Sequence, residues 1–230
     1  MKIKGLQKLT LLDYPEKMAA TVFTGGCNFC CPFCHNAELV TGAQDNYEIS
    51  QNDLFQFLEK RKKVLDGVCV TGGEPLIHPE LEEFLKRIKE KGYLVKLDTN
   101  GSYPDRLAAI VEKGLIDYVA MDIKNSKEKY AQTIGVLNFD IRPVEDSVQY
   151  LLEGPIDFEF RTTVVKEFHE KDDFASIGEW IAGDEKYFLQ GFEDSGNVIR
   201  DGLHGYSKEE LEDFVKLLCA KVPKTKIRGI

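Results

Sequence analysis

Four cysteines fall within eight residues, at Cys27, Cys30, Cys31 and Cys34, while Cys69 and Cys219 stand alone. In a long chain with a core of its own, clustered thiols bind metal or do redox chemistry more readily than they build a disulfide framework. Cys31-x-x-Cys34 has the spacing of half a structural zinc site, but no second cysteine pair and no His-x₃₋₅-His pair supplies the other half. Cys27-x₃-Cys31-x₂-Cys34 instead offers three thiolates from one loop, the ligand type of iron–sulfur clusters. On a four-iron cubane three cysteines leave one iron open, which suits a catalyst that must bind something. Cys30, adjacent to Cys31, reads as a thiol near the loop that ligates nothing. Cys69 and Cys219 read as small buried hydrophobes in a strand and a helix.

Other chemistry-bearing residues come in short groups: Gly72-Gly73-Glu74, Asp98-Thr99-Asn100-Gly101, Asp122-Ile123-Lys124, Arg161 and Gln190. The elements between them explain the spacing. β-rich runs are expected over residues 18–24, 67–71, 93–97, 116–123, 158–165 and 186–189. Helices are expected to start after Ser50 and Ser207 and to span 104–113, 144–152 and 173–181. Leu54, Phe57 and Leu58 share a face of the helix after Ser50. Leu81, Phe84, Leu85 and Ile88 recur at helical spacing in a further helix. Six strands alternating with helices mean βαβ units and a parallel sheet, and an open, partial (β/α)6 barrel fits the count. No Gly-x-Gly-x-x-Gly follows the first strand, so a Rossmann domain is disfavoured. Every polar group above falls at or near the C-terminal end of a strand, the edge where parallel α/β folds gather ligands. His78, His169, His204 and Trp180 lie in no motif and read as structural or surface residues.

The chain has 230 residues, 30 Lys+Arg against 39 Asp+Glu, and a formal net charge of −9. A surface so acidic is a poor generic binder of nucleic acid or anionic membrane. No apolar run approaches a membrane span, and residues 1–14 hold no signal-peptide core, so a cytoplasmic protein is expected. With no repeat, linker or low-complexity tract, residues 1–230 read as one domain.

Cys27-Asn-Phe-Cys-Cys31-Pro-Phe-Cys34 together with Thr71-Gly-Gly-Glu-Pro75 resembles the radical S-adenosylmethionine (SAM) enzymes, in motif and in order. Cys34-His-Asn36, Asp98-Thr-Asn-Gly101 and Met121-Asp-Ile-Lys124 narrow the likeness to the activating enzymes of glycyl-radical proteins. Gly5-Leu-Gln-Lys-Leu-Thr-Leu-Leu-Asp-Tyr-Pro15 is similar to the branch that activates anaerobic ribonucleoside-triphosphate reductase, although that branch often has glycine where this chain has Glu16. The likeness covers essentially the whole chain.

The resemblance implies a [4Fe–4S] cluster on Cys27, Cys31 and Cys34, with SAM chelated to its open iron and cleaved by one electron to methionine and a 5′-deoxyadenosyl radical. It also implies that Gly72 and Gly73 let backbone approach the ligand and that Glu74 meets the methionine ammonium. Phe33 and His35 flank the last cysteine, where relatives contact adenine. Asp98 and Asp122, with Thr99 and the Ala120 carbonyl, match a monovalent-cation site. Lys124 and Arg161 are candidates for carboxylate or ribose, or for ion pairs at a rim. The chain lacks the extra cysteines of a ferredoxin-like insert, so one cluster is expected. The implied partners are a glycyl-radical enzyme, foremost the anaerobic ribonucleotide reductase, and a flavodoxin- or ferredoxin-type electron donor. Three alternatives stand beside this: an activase of the pyruvate formate-lyase type, a radical SAM enzyme acting on a small molecule (7-carboxy-7-deazaguanine synthase-like), and a non-catalytic zinc or iron–sulfur module.

Overall fold

Residues 1–42, 47–184, 186–194 and 196–229 are described in a computed structural model. Eight strands form one sheet in chain order: β1 (Ile3–Thr10), β2 (Ala19–Thr24), β3 (Gly67–Gly72), β4 (Leu94–Thr99), β5 (Tyr118–Asp122), β6 (Phe158–Val164), β7 (Tyr187–Gly191) and β8 (Lys226–Arg228). β1 runs antiparallel to β2, and every later pairing is parallel. β2 to β7 are the six strands expected from the sequence, each within a few residues of its expected bounds. Among the described residues β1 and β8 do not pair, so the partial (β/α)6 barrel stays open.

The helices are α1 (Ala37–Thr41), α2 (Gln51–Arg61), α3 (Leu81–Glu90), α4 (Pro104–Glu112), α5 (Tyr130–Thr133), α6 (Arg142–Leu152), α7 (Lys171–Trp180) and α8 (Lys208–Leu218), with a 3₁₀ turn at Pro75–Ile77. Their starts follow local chemistry. Ser50 accepts from the Asp53 N–H ahead of α2, and Ser207 and Glu210 form a reciprocal capping box ahead of α8. α3 buries Leu81, Phe84, Leu85 and Ile88 as its periodicity requires. α2 differs in detail: Leu54, Phe55 and Leu58 are buried, and Phe57 is only partly so. Phe55 packs on Phe84 and under the Arg87 guanidinium, which draws that face of the helix inward.

A parallel strand covered on both faces needs apolar side chains on both. β3 meets this with Gly67 to Val70 all buried. β4 does not: Val95 and Leu97 join the core, while Lys96 and Asp98 share the opposite face. Cys69 is buried in β3, as expected, whereas Cys219 is half-buried at the α8 C-cap. His169 is buried, bonded to the Val165 backbone and 2.8 Å from the Lys124 carbonyl, a structural residue as read.

Candidate active site

The loop after β2 carries the cysteines, and buried aromatics hold its shape. Phe29 packs edge-on against Phe139 at 5.1 Å, and Phe33 packs against Phe168 at 5.5 Å. Backbone bonds tie the loop to distant elements: Gly26 N–H to the Leu39 carbonyl (2.8 Å), Cys30 N–H to Ile134 (2.9 Å), and Arg200 N–H to Pro32 (2.9 Å). With Phe29 and Phe33 turned inward as anchors, Cys27, Cys31 and Cys34 all line one cavity of about 400 Å³. Cys30 is exposed and lies outside it.

Burial pushes the Cys27 and Cys31 thiols up to about 11 and about 12, and raises Cys34 as well, against the pull of the nearby Lys124 ammonium. Such thiols keep their protons at neutral pH until a metal centre takes the protons' place.

The glycines also meet a need within the fold itself. Gly72 has φ +128°, and a Cβ there would lie 2.3 Å from the Thr24 backbone. A Cβ on Gly73 would lie 1.9 Å from the Gly26 carbonyl. The pair therefore lets the β3 turn press against the cysteine loop, sealed by Gly73 N–H to Thr24 O (3.0 Å) and Glu74 N–H to Gly26 O (2.9 Å). Both glycines also line the cavity.

Glu74 is fully buried and turned away from the cavity. Its carboxylate accepts from Leu76 N–H (2.9 Å), Thr99 Oγ1 (2.9 Å) and Asn100 N–H (2.6 Å). It braces the β3 turn to the end of β4. Burial raises its carboxyl to about 7, against those three donors.

An alternating chain of charge meets the same cavity through Asp98, Asp122, Lys124 and Arg161. Lys96 pairs with Asp98. Arg161 joins Asp98 (3.2 Å) to Asp122 (3.0 Å), and Lys124 pairs with Asp122 (2.9 Å). Burial opposes ionising Asp122, but Arg161 and Lys124 outweigh it and hold the carboxyl down to about 2. Burial likewise opposes the Lys124 charge, and Asp122 more than restores it. Where a monovalent cation was expected, the guanidinium of Arg161 bridges the two carboxylates, and Thr99 Oγ1 is spent on Glu74. Three cations against two carboxylates leave one positive charge in this chain.

His35 lines the cavity mouth, stacked on Phe192 at 5.3 Å with Nε2 2.9 Å from the Glu193 carbonyl. Asp13, Asn36, Asn100 and Gln190 also line the cavity. Of these only Gln190 had been singled out. Asn100 falls within the polar group at the end of β4, and Asp13 and Asn36 lie in the stretches that carry the family likeness. Lys96 was readable in principle, because a lysine inside an apolar strand needs an acid on its own face, and Asp98 is two residues on.

Residues 21–181 match the radical SAM superfamily. The chain belongs to the radical SAM superfamily. It is 30% identical to a Methanocaldococcus jannaschii protein named for glycyl-radical enzyme activation, over 99% of this chain and 96% of that one. It is 28% identical to the pyruvate formate-lyase-activating enzyme of Staphylococcus aureus, over 78% and 74% of the two chains. In fold it resembles Streptococcus suis SuiB bound to S-adenosylmethionine, with a TM-score of 0.68 at 13% identity, over 90% of this chain and 49% of that chain.

Radical SAM membership implies a [4Fe–4S] cluster and SAM, and the donor set here fits them. Three thiols share one wall, yet among the described residues no three His, Cys, Asp or Glu side chains converge on a single-ion position. That spread suits a cluster in which each thiolate meets its own iron, and does not suit a lone zinc ion. The cavity also suits a small zwitterion with an apolar tail, which needs counter-charge and a few polar contacts.

Proposed function

We propose that this radical SAM enzyme installs a glycyl radical on a partner enzyme, and that the partner is an anaerobic ribonucleoside-triphosphate reductase. The observation that carries the reading is that the three thiols of Cys27, Cys31 and Cys34 line one cavity together with the paired cations Lys124 and Arg161. A [4Fe–4S] cluster on Cys27, Cys31 and Cys34 would supply the electron that splits the sulfur–C5′ bond of SAM. The surrounding residues hold and orient. Lys124 and Arg161 attract the methionine carboxylate, Asp98 and Asp122 fix those two cations in place, and backbone at Gly72 and Gly73 borders the amino-acid end. His35, stacked on Phe192, borders the adenine side, with Phe33 fixing the Cys34 end of the loop beneath it. The phenylalanines around the loop exclude water from the cavity floor.

The likeness of the first eleven motif residues, Gly5 to Pro15, favours the reductase over other partners. A flavodoxin or ferredoxin in the cytoplasm supplies the electron, and residues 1–230 act as one unit. No described helix is long and apolar enough to cross a membrane.

The test is anaerobic incubation of cluster-loaded protein, SAM and reductant with a candidate partner, read by electron paramagnetic resonance. A glycyl doublet on the reductase is the expected result. A doublet on pyruvate formate-lyase alone would overturn the choice of partner, and SAM cleavage with no doublet on either would point to a small-molecule substrate.

A further inference from the structure

Asn100 follows β4 and is only 5% exposed, although it is polar and lies at the cavity. Its side-chain oxygen accepts from Ser102 twice, from the backbone N–H at 3.0 Å and from Oγ at 2.6 Å. Its Nδ2 donates to Asn28 Oδ1 at 2.9 Å and reaches Cys27 Sγ at 3.9 Å, the outer range for a sulfur acceptor. Asn28 closes the circuit by donating Nδ2 to Ser102 Oγ at 2.9 Å.

The orientation of both amides follows from one group that has no choice. The Ser102 backbone N–H can only donate, so the Asn100 atom facing it must be the oxygen. The Asn100 NH₂ is then forced toward Cys27 and Asn28, and Asn28 must present its own oxygen in return. A flipped Asn100 amide would set NH₂ against N–H, and Asn100 is itself buried. The Asn100 backbone is pinned as well, by its N–H to the buried Glu74 carboxylate at 2.6 Å. Cys27 Sγ thus receives a fixed side-chain N–H in addition to the Phe29 backbone N–H at 3.3 Å.

We propose that Asn100 sets the reduction potential of the cluster on Cys27, with Ser102 and Asn28 as the residues that aim its amide. The inference rests on the cluster reading above. Hydrogen bonds to ligand sulfur are one of the protein's controls over cluster potential. The electron added in the 2+ to 1+ step increases negative charge on the sulfurs, and an N–H pointed at one of them stabilises the reduced form. Asn100 therefore eases reduction by the electron donor, at some cost to the driving force for passing the electron to a sulfonium.

The test is a dye-mediated potentiometric titration, following the reduced cluster by electron paramagnetic resonance in wild type, Asn100→Ala and Asn100→Asp. Asn100→Ala removes the donor, and Asn100→Asp keeps an oxygen for Ser102 while placing a carboxylate oxygen near the sulfur. The expected result is a more negative midpoint in both, further in Asn100→Asp, at unchanged iron and sulfide per chain. Midpoints equal to wild type, or shifted positive, would overturn the role of Asn100. So would loss of the cluster from both variants while wild type loads normally, which would make Asn100 an assembly residue. A wild-type chain that takes up zinc without sulfide would overturn the cluster reading itself, a result distinct from all of these.

Discussion

Glu16 has a φ of +60°, the one positive value at a non-glycine position among the described residues. A side chain there costs about 1 kcal/mol relative to glycine, partly offset by glycine's larger freedom in the unfolded chain. Glu16→Gly should therefore raise the melting temperature by up to about 3 °C without changing SAM turnover, as scanning calorimetry would show. Glu74 gives a second test, because its carboxyl is raised by burial to about 7 from an ordinary value of 4.5. The folded state then holds a proton that the unfolded state has released between those two values. By linkage, this group makes stability fall as pH rises from about 4.5 to about 7 and adds no slope above that. Glu74→Gln should lack this slope. It should also be less stable throughout, by roughly 1–3 kcal/mol, because its amide N–H₂ opposes a donor where the carboxylate accepted one. Urea titrations of both proteins at pH 5 and pH 8 would check the sign. The residue-level outcome also shows the limit of motif reading: Gly-Gly-Glu was legible as a site marker, but not that its glutamate faces inward. That depends on Thr99 and Asn100, brought in from the next strand.

At the level of elements, β4, β5 and β6 matter because their register sets Asp98, Asp122 and Arg161 side by side. β5 pairs Asp122 with Arg161 of β6, and β4 pairs Asp98 with Ala120. Removing Arg161 leaves two part-buried carboxylates without their bridge, each keeping one lysine partner, a loss of roughly 1–3 kcal/mol. Arg161→Ala should accordingly unfold at lower denaturant. Its SAM affinity should become dependent on potassium, which can enter between Asp98 and Asp122. Wild-type affinity should be indifferent to replacing potassium with tetramethylammonium at fixed ionic strength, and calorimetric titration would distinguish the two. Six parallel strands and six long helices were legible from their apolar patterns, helped at α2 and α8 by serine caps. β1 was not: Ile3–Thr10 carries Lys4, Gln7 and Lys8, and two register irregularities break its alternation. β8 is three residues long and exists only through pairing with β7. α1, α5 and the 3₁₀ turn are too short to leave a period in the sequence.

For the molecule as a whole, an acidic chain of net charge −9 encloses a cavity in which Lys124 and Arg161 are paired with Asp98 and Asp122. Lys124 and Arg161 offer positive charge locally within that cavity, while the acidic exterior discourages nucleic acid. The cavity opens at the C-terminal ends of the strands, so β3 to β7 each contribute one or two groups and none holds the site alone. The cysteine loop was readable before any coordinates, because three thiols at fixed spacing lie in one stretch of chain. The ion chain was not, since its members are up to 65 positions apart and meet only through the sheet. On the proposed reading, SAM would join the two halves, with Cys27, Cys31 and Cys34 holding the cluster and Lys124 and Arg161 holding the SAM carboxylate. The most direct measurement is the yield of methionine and 5′-deoxyadenosine from SAM under anaerobic reduction, compared for wild type, Cys30→Ala and Cys34→Ala. Equal amounts of the two products from wild type and Cys30→Ala, and none from Cys34→Ala, are the expected result. Full cleavage by Cys34→Ala would contradict the ligand set and, with it, the site.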